Sequence, residues 1–312
     1  MNEHFIKNIE IKNFKCFEDF KAEGFGRVNL IGGKNNVGKT AFMEAVYINV
    51  YSYKSENNSS MAIYDVVFNR YNQLILMELF KGQSKQYILQ NIINEKSIKY
   101  NKAEVQSNIQ KINIKFLLTD LKKRERRSFV KYFLGNIPIS HDKLNEAYGR
   151  VLELGIEDEV DNAIKYIDSN FKSFRIINSQ PKCNFINNQN FIDINELGDG
   201  LYKFLSVICA IYICRESYLC IDEIDNGIHY SNLDKLWEII LKVSKQQNVQ
   251  VFATTHSKEC IESYARVAKK LEDEDITFID MGRNRDNEIK AITMNYKRFQ
   301  EEIEMDNEVR GW

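Results

Sequence analysis

Apolar and polar residues alternate near the amino terminus of the chain. Residues 5–17 read Phe-Ile-Lys-Asn-Ile-Glu-Ile-Lys-Asn-Phe-Lys-Cys-Phe, which predicts a strand with one buried face. Two more strands are expected at 20–25 and 28–31, and a helix at 40–51. Segments typical of antiparallel strands follow at 73–80, 86–93, 97–100 and 112–118. The first third of the chain therefore predicts a β-rich lobe built around one helix.

The pattern changes near Asp120. From there to about Phe171 the chain is charged and leucine-rich with a helical period, broken at 135–138, and we interpret it as a helical insertion. Short apolar strands are expected afterwards at 174–177, 218–221, 249–254, 276–280 and 289–293. Helices are expected at 198–213, 233–245 and 257–271, with an acidic helix end at 300–308. A sheet that is discontinuous in sequence and interrupted by a helical insertion is the simplest arrangement.

Composition narrows the class of protein. The 312 residues are 44% hydrophobic and 28% charged, as in a globular protein of one large domain or two lobes. The net charge of −1 provides no global attraction to nucleic acid or membrane, so such a contact needs a local patch. No apolar run approaches the ~18 residues of a membrane span, and no secretion signal is visible. The six cysteines lack a C-x-x-C pair, and we expect buried thiols in a cytoplasmic protein.

Residues 33–40 read Gly-Lys-Asn-Asn-Val-Gly-Lys-Thr and match the phosphate-binding loop G-x-x-x-x-G-K-[ST]. Gly33 and Gly38 let the backbone curl so that successive N–H groups point at phosphate oxygens. Lys39 reaches the β- and γ-phosphates, and Thr40 offers its hydroxyl to Mg²⁺. The predicted nucleotide-binding residues of this loop are Gly33, Asn35, Asn36, Val37, Gly38, Lys39 and Thr40.

Two apolar strands of the second half end in groups suited to hydrolysis. The first ends in Asp222 and Glu223, which would lie at the carboxyl edge of the sheet, where ligands bind in open α/β sheets. Asp222 would hold Mg²⁺, and Glu223 would orient and deprotonate the attacking water. The second strand ends in His256, which could hydrogen-bond the γ-phosphate or the water.

A second glycine-rich turn, Gly198-Asp199-Gly200, opens a predicted helix. The amino terminus of a helix is an anion site, so these three residues are candidate nucleotide contacts. One nucleotide seldom needs two such sites in one chain. A glycine turn that only caps the helix is the alternative.

The order of these motifs resembles the ATPase heads of the RecF, SMC and OLD (overcoming-lysogenisation-defect) group of the ABC superfamily. Residues 9–17 look like the opening strand of that group, and 29–40 like its Walker A strand and loop. Gly198–Gly200 stands at the signature motif and Asp222–Glu223 at Walker B. Residues 226–229 are similar to the D-loop, and His256 to the switch histidine.

Some features depart from the pattern of the group. Gly198 replaces the usual signature serine, and backbone donors with Lys203 are candidate substitutes. The Q-loop glutamine is unassigned among Gln83, Gln86 and Gln90. The insertion is too short for a long coiled coil, and the 56 residues after His256 are too few for a Toprim nuclease domain. A head without an attached effector is therefore expected.

The resemblance implies an α/β ABC-ATPase head with a mixed P-loop sheet, an N-terminal antiparallel β subdomain and a short helical insertion. The parts would be 1–119, 120–173 and 174–312. Two heads would sandwich two ATP molecules with Mg²⁺, each P-loop facing the signature turn of the other copy. An ATP-hydrolysing homodimer, or a higher homo-oligomer, would then act as a switch or scaffold for a separate effector such as a nuclease in bacterial phage defence.

The alternative function is a RecF-like ATPase that binds DNA in repair. Its local support is the basic run 122–127, Lys-Lys-Arg-Glu-Arg-Arg, with Lys131, although such a run is also typical of a solvated helix face. A transporter ATPase fits the opening strand and residues 226–229 poorly. A P-loop kinase is disfavoured by the second glycine-rich turn.

Overall fold

The computed structural model describes residues 5–51, 103–108, 111–114, 131–133, 141–166, 168–188 and 190–305. The strands of these ranges are β1 Asn8–Phe14, β2 Phe17–Glu23, β3 Val28–Gly33, β4 Ala103–Ser107, β5 Lys111–Ile114, β6 Lys131–Phe133, β7 Phe171–Ile177, β8 Gln180–Phe185, β9 Ile192–Asp193, β10 Tyr218–Ile221, β11 Gln250–Thr254, β12 Ile276–Arg283 and β13 Ile289–Asn295. The α-helices are α1 Lys39–Tyr51, α2 His141–Leu154, α3 Glu157–Lys165, α4 Asp199–Ile213, α5 Leu233–Gln246, α6 Lys258–Lys270 and α7 Tyr296–Glu304.

A six-stranded sheet with the order β13-β12-β3-β11-β10-β6 forms the centre of the molecule. The pairs from β12 to β6 are parallel, and β13 is antiparallel to β12. All residues of β3, β10 and β11 are buried, because elements cover both faces of the sheet. These strands therefore read as continuous apolar runs in the sequence, as short buried strands do.

Alternate residues of the central strands enter two separate cores. Val28, Leu30 and Ile221 pack with the helices α4, α5 and α6 on one face. Ile31 and Phe252 pack on the other face with α1 and the N-terminal strands. The P-loop strand β3 is thus held between two hydrophobic layers.

The N-terminal lobe is an antiparallel sheet with the order β2-β1-β4-β5. Ile9 and Ile11 of β1 are buried while their neighbours are more exposed, as the alternating pattern predicts. Asn13 near the end of β1 and Lys15 in the turn to β2 both have positive φ. Lys15 forms an ion pair with the buried carboxylate of Glu44, so the turn is tied to α1.

The predicted helical segment 120–171 is wrong at Lys131–Phe133, which form β6. This strand pairs in parallel with β10 at the edge of the central sheet. The run 129–134, Phe-Val-Lys-Tyr-Phe-Leu, is apolar and aromatic, a composition that favours a strand when a sheet edge is available. The helices described in this segment are α2 and α3, and β7 to β9 form a small antiparallel sheet after α3. The three-part division of the chain stays a prediction.

Several sequence predictions lie outside the described residues. They are the strands at 73–80, 86–93 and 97–100, the three candidate Q-loop glutamines, the basic run 122–127 and the break at 135–138. No helix in the described part of the chain is long and apolar enough to cross a membrane.

Candidate functional site

The loop between β3 and α1 has a backbone that requires glycine at both ends. Gly33 has a φ of 140°, and a Cβ there would lie 2.3 Å from the carbonyl oxygen of Met281. Gly38 has a φ of 87°, and its Cβ would lie 2.8 Å from the Cys16 sulfur. Larger residues are therefore excluded by conformation and by space. Asn36 also has positive φ, so the chain curls tightly between the two glycines.

The ammonium group of Lys39 lies over this loop. Its Nζ donates to the carbonyl oxygens of Gly33 at 2.7 Å and Lys34 at 2.9 Å. Burial lowers the pKa of Lys39, and the carboxylates of Asp222 and Glu223 oppose that shift. The lysine is therefore a cation held between the loop and the acidic end of β10, where a phosphate chain would need one.

Asp222 joins the P-loop helix to the neighbouring strand. Its Oδ2 accepts a 2.9 Å hydrogen bond from the Thr40 hydroxyl, and its Oδ1 accepts one from the Thr254 hydroxyl. The backbone N–H of Glu223 donates to the Thr254 oxygen at 2.8 Å. The side chain of Asp222 is almost completely buried, so these contacts fix its position.

The residues at this position fit a magnesium ion. The hydroxyl of Thr40 and a carboxylate oxygen of Asp222 are adjacent, and oxygen atoms of these types are the ligands Mg²⁺ prefers. Within the described ranges no cluster of three His, Cys, Asp or Glu side chains could cage a metal by itself.

Glu223 adopts an uncommon backbone conformation. Its φ is +48°, and non-glycine residues rarely occupy this region. Hydrogen bonds hold the turn on both sides, because Ile224 donates to the carbonyl of Thr254 and Asn226 donates to that of Glu223. Backbone strain of this kind clusters at functional sites, and here it sets the direction of a half-buried carboxylate.

Thr255 forms a second link between β11 and residues 222–225, which we call the acidic loop. Its hydroxyl donates to Asp225 at 2.6 Å and accepts from the backbone N–H of Ser257 at 3.0 Å. Ser257 in turn caps α6 by accepting from the N–H of Cys260. His256 lies between these two anchored residues, and its side chain is exposed at the carboxyl edge of the sheet.

The turn Gly198–Gly200 lies at the exposed start of α4. Gly198 has a φ of 87°, and no side chain caps the helix there. A Cβ at Gly198 or Gly200 would meet no atom within 4 Å, in contrast to Gly33 and Gly38. Because α4 packs against α2, α3 and α5, the turn ends the helical layer and presents open backbone.

Lys203 lies one turn into α4. Burial lowers its pKa, while the carboxylates of Asp225, Glu223 and Asp222 raise it. The sequence suggested Lys203 as a substitute donor for the missing signature serine. In the structure its charge faces the acidic loop of its own chain.

The structure thus brings together the predicted residues of the P-loop, Asp222 and Glu223, and it places His256 at the end of the adjacent strand. Sequence reasoning missed Thr254 and Thr255. A signal was present, because the two hydroxyls directly precede His256 on a strand that was expected beside the Asp-Glu strand. It also missed Arg283, whose guanidinium donates to the P-loop carbonyl of Asn36 at 3.3 Å. Nothing in the local sequence of Arg283 indicated this contact.

Comparison with known proteins agrees with this arrangement. A family profile described as "AAA domain, putative AbiEii toxin, Type IV TA system" matches residues 151–262. An ATP/GTP phosphatase from Helicobacter pylori is 23% identical over 328 aligned positions, spanning 85% of this chain and 89% of that protein. The DNA replication and repair protein RecF from Clostridioides difficile is 26% identical over 165 positions, which cover 47% of this chain and 42% of RecF.

The fold has a counterpart among solved structures. The SMC head domain from Thermotoga maritima superposes with a TM-score of 0.51 at 15% identity, covering 93% of this chain and 98% of that domain. The chain therefore has the architecture of an ABC-class ATPase head. More particularly, it resembles the heads of the RecF and SMC group, and the fold class predicted from the sequence is confirmed.

Proposed function

We propose that the chain is a Mg²⁺-dependent ATPase that closes as a homodimer around two ATP molecules and switches a separate effector. The observation that carries this proposal is the pairing of a P-loop with Asp222 through Thr40, beside a strained Glu223. Similarity to an ATP/GTP phosphatase over most of the chain supports a nucleoside triphosphate as the substrate.

Different residues of the chain have different roles in the proposed reaction. The loop N–H groups and Lys39 bind the phosphates, while Thr40 and Asp222 would hold Mg²⁺, which neutralises charge on the β- and γ-phosphates when bound. Glu223 accepts a proton from the attacking water. His256 donates to the γ-phosphate or orients that water.

The open turn Gly198–Gly200 supports a dimer. Its N–H groups form an anion site without a side-chain cap, at a helix end that other elements of the described chain leave exposed. The γ-phosphate bound by a second copy is the ligand that fits this turn. ATP then stabilises the closed dimer and hydrolysis releases it, because only the closed form holds the nucleotide from both sides.

The proposed effector is a protein encoded separately from this chain. An OLD-like head would control such an effector, for example a nuclease of a cytoplasmic phage-defence system. The matched family profile, whose description refers to a toxin system, supports a role of this kind.

The first test uses Glu223→Gln, which removes the base but keeps the shape of the side chain. We expect hydrolysis to fall by about 10²-fold or more and ATP with Mg²⁺ to trap a dimer, measured by light scattering. Lys39→Ala is the matched control, because it should lose ATP binding and stay monomeric. A Glu223→Gln chain that remains monomeric at saturating ATP would count against the dimer.

The similarity to RecF favours a second function, an ATPase that binds DNA during repair. Such binding should weaken steeply with salt, because basic side chains displace counterions from the phosphates. We expect neutralisation of Lys122, Lys123, Arg126 and Arg127 to reduce both the affinity and the salt dependence. No binding of duplex or gapped DNA at low salt would exclude this function.

A further inference from the structure

Arg283, at the end of β12, connects the hairpin between β12 and β13 to the P-loop. Its Nη1 donates to the carbonyl oxygen of Asn287 at 2.7 Å, and its Nη2 donates to that of Asn36 at 3.3 Å. The planar fork of an arginine can hold two acceptors in a fixed relative direction, because its donors are rigidly arranged. The guanidinium therefore fixes the P-loop carbonyl relative to the hairpin.

The hairpin that carries Arg283 is closed by its own hydrogen bonds. The backbone N–H of Asn284 donates to the carbonyl of Glu288 at 2.9 Å, and the Asn284 side chain accepts from the N–H of Glu288 at 2.8 Å. Asn287 adopts a φ of 62°, a conformation that asparagine tolerates in tight turns. The contact to the P-loop thus extends from a hydrogen-bonded support.

The peptide group between Asn36 and Val37 is anchored on both sides. Arg283 binds the carbonyl oxygen of Asn36, whose φ is 64°. The side chain of Val37 is 5% exposed and packs in the same core as α1 and the N-terminal strands. A planar trans peptide points its C=O and the following N–H in opposite directions. The N–H of Val37 is therefore turned away from Arg283 and its hairpin.

We propose that Arg283 is a positioning residue for the phosphate-binding loop. By holding the carbonyl of Asn36 toward the hairpin, it keeps the N–H of Val37 directed at the phosphates, among the backbone donors that such a loop presents to them. This donor is oriented before the nucleotide arrives, so binding does not have to order the peptide. Arg283 acts through the loop, and its effect falls on phosphate affinity while the hydrolytic step is unchanged. This inference rests on the proposed ATPase function.

The experiment compares Arg283→Gln with the unmodified full chain. Titration calorimetry measures the affinity for Mg²⁺–ATP, Mg²⁺–ADP and inorganic tripolyphosphate. We expect all three affinities to fall by the same factor, about fivefold, as loss of one oriented hydrogen bond does. At saturating ATP, kcat should stay within about twofold, because a contact made equally in the ground state and the transition state changes KM alone. The urea midpoint should not change, since Arg283 is exposed.

Arg285→Gln is the matched control, because Arg285 is an exposed arginine in the turn of the same hairpin. It removes the same charge from this hairpin, so a general attraction between basic side chains and the triphosphate would appear in both variants. The positioning role predicts that Arg285→Gln binds all three ligands as the unmodified chain does.

The outcomes separate the two proposals. Unchanged affinity in Arg283→Gln, equal losses in the two variants, or a fall in kcat without a change in affinity would overturn the positioning role and leave the ATPase proposal intact. An unmodified chain that binds neither ATP nor tripolyphosphate would overturn both.

Discussion

At the scale of single residues, two adjacent threonines position the acidic loop. The parallel register pairs Ile221 with Ala253, so Asp222 and Thr254 follow side by side at the carboxyl edge. Thr254 contacts Asp222 and the backbone of Glu223, and Thr255 contacts Asp225. The acidic loop is therefore oriented by the hydroxyl groups of the two threonines.

Thr254→Val tests this role, because valine keeps the shape and removes the hydroxyl. We expect kcat for ATP to fall about tenfold or more, in the range found for groups that orient metal ligands, while ATP affinity stays within a few-fold. Steady-state hydrolysis and equilibrium binding measure the two quantities. Thr293→Val on β13 is the control, and equal activity of the two variants would contradict the positioning role.

At the scale of elements, α4 connects the glycine-rich turn to the acidic loop. The helix begins at Asp199, and Lys203 in its first turns is electrostatically coupled to Asp225, Glu223 and Asp222. A shift of α4 on contact with a second copy would therefore change the field at Asp222, Glu223 and Asp225 of its own chain.

Lys203→Met should reveal this buried charge in the pH dependence of stability. Burial lowers the pKa of Lys203 below its usual 10.5, so the unfolded chain binds more protons than the folded one between the two values. Stability from this group rises with pH in that window. We expect the unmodified chain to gain free energy of unfolding relative to the variant as pH approaches 10.5, measured by urea unfolding.

The control for Lys203→Met is the same substitution at an exposed lysine. Lys245→Met removes a solvated lysine near the end of α5. The difference in free energy of unfolding between this variant and the unmodified chain should not vary with pH over the same range. If the corresponding difference for Lys203→Met is also independent of pH, the ammonium group of Lys203 is not buried in solution.

At the scale of the whole molecule, the helical side of the sheet holds several neutral groups that ionise at high pH. Burial raises the pKa of Cys183 and Cys209 from 9.0 to about 12, and that of Tyr148 and Tyr212 from 10.0 to about 12. The folded state keeps these protons longer than the unfolded chain does, so their stabilisation is complete below pH 9.

We expect the urea midpoint of the reduced protein to stay level up to pH 9 and to fall between pH 9 and pH 12, because in this window the unfolded chain loses protons that the folded state keeps. Cys209→Ala removes one of the groups and should make the decline shallower. A midpoint that is constant over this range would contradict the burial of these side chains.

Local sequence specified the P-loop well. Gly33, Gly38 and Lys39 are close in the chain, and the strand and helix beside them follow from short-range pattern. The same holds for β10 and β11, whose apolar runs end in Asp222 and His256. The function of these site residues stays a prediction, although their placement agrees with it.

Long-range relations could not be predicted in this way. Arg283 contacts Asn36 across 247 residues of sequence, and neither residue carries a local sign of the other. The sequence analysis did not predict β6, because the strand has only three residues and the pattern on both sides of it has a helical period. In its case the free edge of β10 decides the structure, and only the assembled sheet provides that edge.

The position of β3 between β11 and β12 has a consequence for how the molecule opens. Its residues bond to both neighbours and are buried on both faces, so its amides exchange hydrogen only when the whole sheet separates. The loop that follows is exposed at Lys34, Asn35 and Asn36, and its amides exchange through local fluctuation. The two halves of one nucleotide-binding motif thus differ widely in opening free energy, and slow exchange in the loop would report directly on a bound phosphate.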